Sequence, residues 1–419
     1  MKDYIKQYNE ILKDELLVAM GCTEPIAIAY AAAYAADLLG GIPDRMESHC
    51  SGNLIKNAKA VTVPGTDGLK GIEAATVAGA VSGRPDLKLE VISTLTDEDR
   101  QCIRALLADK IVKVSHLLSD HTLHIVIDAW RGEDSCSVEI IDSHTGIGNV
   151  IKNGSYLKMR AEDIESADAE SAELTVARIY DYAAEVPLED ISEVLERQIA
   201  YNRDISREGL ENKWGEEVGK AVKSMSEFGI WAEVISAAAA GSDARMNGCN
   251  KPVVINSGSG NQGMTISLPI IRYAELKGKT HEELLRALAF ANMLAVHEKE
   301  GIGKLSAYCG AVCAAAAGAC GIAYLDKQPL PTIENIIINT LGTISGMVCD
   351  GAKSSCAAKI ATALYCALLG YSMAKNGDVF RDGEGIVKND IEYTISTVGR
   401  LAAEGMRSTD EKLLSLMLE

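Results

Sequence analysis

The sequence predicts an α+β protein, in which a smaller α/β domain is inserted into an all-helical domain made of the N-terminal helices and the C-terminal half. Three observations predict this. Ala-rich stretches with helical spacing open the chain and dominate it after Leu188. Short, β-branched, roughly alternating runs fill the region from Asp44 to Asn153. Hydrophobic residues make up 47% of the 419 residues while aromatics make up only 5%, so a large core must be built from Ala, Ile, Leu, Val and Met with close helix contacts. At about 100–200 residues per domain, the length suits two or three domains. The helical domain is expected over residues 1–42 and 185–419, and the α/β domain with its connector over 43–184.

The N-terminal part reads as two helices. Ile5, Ile11, Leu12, Leu16 and Leu17 form a helical stripe, Met20–Pro25 breaks it, and Ile26–Leu39 resumes it. Pro25 suits a first helical turn, and Gly40-Gly41 ends the second helix. Both helices are expected to pack on the C-terminal block. In the inserted region, Val61–Val63, Lys88–Ser93, Ile111–Val114, Leu123–Ala129 and Cys136–Ile141 read as strands, with helices at Gly71–Ser82 and Asp97–Lys110. The acidic stretch Glu162–Glu173 reads as a solvated connector. Further helices are expected at Val194–Tyr201, Trp214–Met225, Trp231–Gly241, Glu282–Ala295, Leu305–Cys320, Ile333–Val348, Cys356–Lys375 and Ile391–Glu404. No internal repeat stands out.

Charge and cysteine usage exclude several functions. A formal net charge of −18 repels phosphate backbones, so nucleic acid is not an expected partner. The most apolar segments, Ile26–Ala36 and Gly310–Tyr324, fall short of the roughly 20 residues that cross a bilayer, so no membrane is expected either. The first residues carry charge rather than an apolar leader, which places the protein in the cytoplasm. Eleven cysteines there are reduced thiols rather than a disulfide framework.

Two cysteine groups then matter. Cys309, Cys313 and Cys320, at i, i+4 and i+11, fall within about 40° on a helix face. Small residues on a buried Ala-rich helix need no metal, and spacing does not choose between Cys309 and Cys313. Cys349-Asp-Gly-Ala-Lys-Ser-Ser-Cys356 is a turn between two apolar helices, where thiolates and loop N–H groups can meet a cluster. Structural zinc favours close Cys pairs and four ligands, and neither a Cys-x-x-Cys nor a nearby His is present. Cys22 stands apart, just before the helix that Pro25 opens. The helix dipole is expected to lower its thiol pKa from about 8.5, which suits a base or nucleophile. Asn256-Ser-Gly-Ser-Gly-Asn-Gln-Gly263 can present backbone N–H groups to a carboxylate, and it lacks the Gly-Lys-Ser/Thr of a nucleotide loop. Asn247–Asn250 is a second amide-rich turn. His144 reads as an ordinary strand-end residue and His297–Glu300 as a solvated helix end.

Met20-Gly-Cys-Thr-Glu-Pro-Ile-Ala27, the Asn256–Gly263 loop, the Cys309 segment and Cys349-x6-Cys356 together resemble the L-cysteine desulfidases, relatives of the iron–sulfur L-serine dehydratases. Val63-Pro-Gly-Thr-Asp-Gly68 is similar to a Gly-Thr-Asp turn in the dehydratases' smaller domain. The resemblance runs over essentially the whole chain. It implies a [4Fe–4S] cluster on Cys309, Cys349 and Cys356 with one iron open, and Cys22 as the base that removes the substrate's α-proton. Thr23, Ser257, Asn261 and Gln262 are the expected substrate contacts. Where the dehydratases carry a Ser-Ser-His-Thr type motif this chain has Gly21-Cys-Thr-Glu-Pro25, which points to the desulfidase branch. The competing functions are an L-serine dehydratase with the same cluster, a non-catalytic iron–sulfur sensor, and a structural zinc protein. A homo-oligomer, most simply a dimer, acting on a small amino acid is expected.

Overall fold

A computed structural model describes residues 3–160, 173–303 and 305–419. Helix α1 (Asp3–Glu15) leads through the short strand β1 (Val18–Met20) into α2 (Thr23–Leu38). The α/β region follows: β2 (Arg45–Cys50), α3 (Gly52–Ala58), α4 (Gly71–Ser82), α5 (Asp97–Ala108), β3 (Val112–His116), β4 (His124–Arg131), β5 (Asp134–Ile141), β6 (Ile147–Lys152) and β7 (Ser155–Lys158). The remainder is helical except for β8 (Pro252–Val254). Before that strand come α6 (Val176–Glu185), α7 (Ser192–Glu211), α8 (Val218–Lys223) and α9 (Ile230–Met246). After it come α10 (Gly260–Lys277), α11 (His281–Glu300), α12 (Ala311–Leu325), α13 (Leu330–Ile344), α14 (Cys356–Lys375), α15 (Ile391–Arg400) and α16 (Arg407–Leu418).

The six-stranded sheet runs in the order β3-β2-β4-β5-β6-β7, with β2 and β3 parallel and the other pairs antiparallel. In β4 and β5, Ile125, Ile127, Ala129, Cys136, Val138 and Ile140 alternate into the core, as a sheet covered on one face requires. The helical body centres on α9, α10, α12 and α14, whose Ala and Gly positions let the helices approach closely. The α+β class is as the sequence predicts.

Several local expectations change. Val61–Val63 makes a single bridge, Thr62 to Lys70, and Pro64 ends it. Lys88–Ser93 is turn-rich, because Lys88 at φ 47 and ψ −115 kinks it, yet it still buries Leu89, Val91 and Ile92. Short apolar runs of this kind have no period that separates strand from buried turn. Strands β2, β6 and β7 had no equivalent in the sequence reading. The expected helix over Leu305–Cys320 begins only at Ala311, so Cys309 precedes it. Residues 162–172 of the acidic stretch lie outside the described residues.

The two N-terminal helices part company. Helix α1 joins the helical body, where Tyr8 stacks edge-on with Tyr182 at 5.3 Å. Helix α2 packs instead on α4 and the sheet. It is Ala-rich on every face, so its own sequence selects no partner. Gly79 of α4 does the selecting: a Cβ there would lie 2.0 Å from the Ala29 carbonyl oxygen. Among the described residues α14 is the one helix long and apolar enough to cross a membrane by length and composition. Its buried residues Ala357, Ile360, Ala363, Leu364, Ala367, Leu368 and Tyr371 recur at i+3 and i+4 and pack on α9, α12 and α13, the pattern of a core helix.

Candidate active site

Cys22, the amide loop and all three expected cluster cysteines line one cavity that is partly open to solvent. Backbone pairing places them. Strands β1 and β8 pair antiparallel, with Val18 opposite Val254, and Ile255 N–H continues to the Leu17 carbonyl at 2.9 Å. This brings the start of α2 beside the start of α10. Thr23 then locks the two ends, its hydroxyl donating to the Gly258 carbonyl at 2.9 Å. Gly21 sits at φ 56 against Pro64, whose Cγ is 2.1 Å from where a Cβ would stand, so the Gly-Cys step needs glycine on both counts.

The cysteines are positioned by a second set of backbone bonds. Tyr308 bridges Val348, Cys309 N–H donates to Met347 at 3.0 Å, and Cys349 N–H donates to Ala307 at 2.7 Å. These bonds set Cys309 beside Cys349, close enough for the two thiols to shift each other's protonation. Cys356 opens α14 seven residues later. The loop between is stapled by the ion pairs of Asp350 with Lys353 and Lys359, by Lys359 Nζ to the Val348 carbonyl at 2.7 Å, and by Ser354 to Asn247 at 2.9 Å. Asn247 of the second amide-rich turn is thus a brace for this loop. Gly351, at φ 93, lets the loop meet α3 of the α/β region, since a Cβ would lie 2.2 Å from the Lys56 carbonyl oxygen.

Cys313 and Cys320 lie on α12 away from the cavity. They are fully buried, with their thiols directed to the Glu298 and Ile333 carbonyls. Ser257 also stays out of the cavity, its hydroxyl donating to Asn256 at 2.9 Å. Asn261 lines it and accepts from Ser242 at 3.2 Å. Gln262 lines it with an Oε1 that has no hydrogen-bond partner. His144 is buried against Gly258 and outside the cavity.

The electrostatics correct two expectations. Burial pushes the Cys22 thiol well above its ordinary range, and the Glu24 carboxylate raises it further, while Arg245 opposes them. Cys22 is 3% exposed and its Sγ donates to Glu24 Oε2 at 2.8 Å. The helix end therefore does not make a free thiolate there; it presents a thiol with a carboxylate ready to hold its proton. Cys349 moves the other way. The neighbouring Cys309 thiol holds it well below the usual thiol range against burial, assisted by Lys56, the Gly351 N–H and Lys359. The second correction is His297–Glu300. His297 is buried, its Nε2 2.6 Å from Glu392 of α15, and the Glu300 and Glu392 carboxylates outweigh burial to raise its pKa to about 9. Glu298 is buried with neither oxygen paired and is held neutral by that burial. The solvated helix end is in fact covered by α15.

Four charged residues line the cavity without having been expected as site residues: Glu24, Arg245, Lys299 and Lys359. A signal existed for Arg245, a charge near the end of a helical run made mostly of Ala and other small residues; Lys299 gave none, because His297, Glu298 and Glu300 around it read as a polar helix end. Charged residues are rarely buried without a partner or a ligand.

The donor set fits a polynuclear cluster better than a single ion. Among the described residues no three His, Cys, Asp or Glu side chains close on one point as a single metal ion needs. Three thiols around one cavity, one already favouring the thiolate, match a cluster whose own sulfides hold its irons apart.

Comparison with known proteins supplies the family. The model of the serine dehydratase alpha chain matches residues 86–415. The chain belongs to the serine dehydratase alpha-chain family. Enzymes of this family are lyases, and iron–sulfur dependence is typical of it. Among relatives, a UPF0597 protein of Lachnoclostridium phytofermentans is 47% identical over 414 residues, covering 99% of both chains. One from Finegoldia magna is 46% identical, covering 99% of this chain and all of the relative. One from Treponema denticola is 44% identical, covering 99% of this chain and 98% of the relative. The family match takes in Cys309, Cys349 and Cys356, and the full-length relatives extend the likeness to the Cys22 segment.

Proposed function

We propose that the protein is an L-cysteine desulfidase, a carbon–sulfur lyase that needs no pyridoxal phosphate and converts L-cysteine and water to pyruvate, ammonia and hydrogen sulfide. Cys309, Cys349 and Cys356 would hold a [4Fe–4S] cluster. The observation that carries this reading is the meeting of those three thiols with the Cys22–Glu24 pair in one cavity. When bound, such a cluster supplies a Lewis-acidic iron that polarises the leaving group.

The chain's own residues supply the proton chemistry. The α-proton of the amino acid goes to Cys22 Sγ, once the thiol's own proton has passed to Glu24 Oε2, its hydrogen-bond partner. Loss of that proton and of the Cβ–S bond gives aminoacrylate and hydrosulfide, which becomes hydrogen sulfide by taking up the proton left on Glu24, and Cys22 Sγ keeps the α-proton as its thiol. Aminoacrylate tautomerises to an imine, which water hydrolyses to pyruvate and ammonia. Burial of Cys22 and Glu24 strengthens their mutual interaction, because little water competes at that end of the cavity.

The second reading, L-serine dehydratase, draws on the family description itself. The two separate in one assay: anaerobically purified protein is given L-cysteine or L-serine, and pyruvate and sulfide are followed. A higher kcat/KM for L-cysteine with stoichiometric sulfide is expected. A higher kcat/KM for L-serine would make the protein a serine dehydratase. We further propose that it works as a cytoplasmic homodimer on free amino acid, without nucleic acid or membrane partners. Its acidic charge supports the absence of a nucleic-acid partner, and its eleven free thiols support the cytoplasm.

A further inference from the structure

Arg245 is 2% exposed at the end of α9 and lines the active-site cavity. Its Nε has no hydrogen-bond partner, and among the described residues it forms no ion pair. A guanidinium is charged at any physiological pH, so an unpaired one this deeply buried is held at a cost in the free protein. Glu24, the carboxylate of the chain in this cavity, is engaged by Cys22 and Thr23 and forms no ion pair with Arg245. Gly260, the first residue of α10, faces it, and a Cβ there would lie 2.4 Å from Nε. Two helix starts add to the same space, α2 at Thr23–Glu24 and α10 at Ser259–Gln262. Their first-turn N–H groups have no partner within the helix. Gln262 Oε1, also unpartnered and 6% exposed, adds an acceptor suited to an ammonium.

From this geometry we infer that Arg245 is the residue that grips the α-carboxylate of the amino-acid substrate. The inference rests on the lyase function proposed above and fixes the substrate's direction. Arg245 and Cys22 line the same cavity, so a carboxylate held by Arg245 brings Cα toward the Cys22 thiol. Lys299 is the other buried cation of the cavity. With the carboxylate on Arg245 and Cα beside Cys22, the Cβ substituent is left to extend toward Cys309, Cys349 and Cys356 across the same cavity. Arg245 also makes the free carboxylate a condition of binding, so amino-acid amides and esters are excluded.

The test uses anaerobically purified full-length protein and two probes without a leaving group, L-alanine and L-alaninamide. L-alanine is expected to raise the melting temperature, and L-alaninamide is expected to leave it unchanged. Arg245→Met should keep wild-type iron content and melt no lower than wild type when free of ligand, because it removes an unpaired buried charge. It should weaken L-alanine binding on the order of 10- to 100-fold, the loss of a bidentate charge-assisted contact. Arg245→Lys should fall between. The inference is overturned by an undiminished L-alanine response in Arg245→Met, by equal responses to both probes, by no response of wild type to L-alanine, or by an unliganded Arg245→Met that is destabilised, which would make Arg245 structural. Because no probe turns over, these outcomes are independent of whether L-cysteine yields sulfide, which tests the parent reading alone.

Discussion

The cavity is lined by two sets of residues that differ in how their polar groups are satisfied. Around Cys22, helix ends and single side chains leave Arg245 and Gln262 unpaired. Around Cys349, most groups are tied, with the Tyr308 hydroxyl the exception: Lys359 to Asp350 and Val348, Lys353 to Asp350, and Ser354 to Asn247. An open set suits a ligand that comes and goes with each turnover. A stapled set suits a group that stays. Buried polar groups left unpaired cost stability, so they persist where a ligand repays them.

That contrast can be broken by mutation, starting where the effect is largest. Cys349→Ala should abolish cluster binding, read as iron per chain and visible absorbance; full iron content would remove Cys349 from the ligand set. Cys22→Ala should keep wild-type iron and lower kcat by about 10²- to 10⁴-fold, as loss of a proton-transfer group does. A colourless Cys22→Ala protein would mean that Cys22 belongs to the stapled set.

Smaller effects probe the scaffold. His297 anchors the end of α11 through Glu392, and its folded pKa of about 9 exceeds the unfolded value of about 6.5. The stabilisation is then fully present below pH ~6.5 and lost as pH rises through about 9, a loss on the order of 2 kcal/mol. Denaturant titrations at the two pH values should show it in wild type and not in His297→Gln. An equal decline in the variant would assign the effect to other groups. Cys320→Ala should change least: unaltered iron content, and about 1 kcal/mol less stability, because the buried sulfur no longer fills its place in the core. Any fall in iron would draw α12 into the ligand set.

Parts of this site are legible in the sequence, for reasons that are local. Pro25 after Gly-Cys-Thr-Glu marks a helix start, and Gly, Asp and Ser between Cys349 and Cys356 mark a turn. Gly258-Ser-Gly-Asn-Gln262 likewise marks the start of α10. The reading of Leu305–Cys320 as one helix failed because residues 305–310 are apolar enough to extend the pattern. Their backbone pairs instead with 347–349, a partner some 40 residues away that no periodicity reveals. The Cys22 thiol was misjudged for a similar reason. The helix dipole can be read from sequence, but burial beside Glu24 outweighs it and cannot.

The sequence by itself determined the α+β class and marked the two segments, Gly21–Pro25 and Cys349–Cys356, that meet at the cavity. These follow from composition, period and turn residues, which act over a few positions. Tertiary structure decided that α2 sides with the sheet, through the bare Cα of Gly79 against Ala29. It decided that Cys309 rather than Cys313 faces the cavity, through backbone bonds to 347–349. It also decided that Arg245 stands unpaired beside Cys22. A charge in an apolar helix announces burial, but only packing shows whether a partner reaches it.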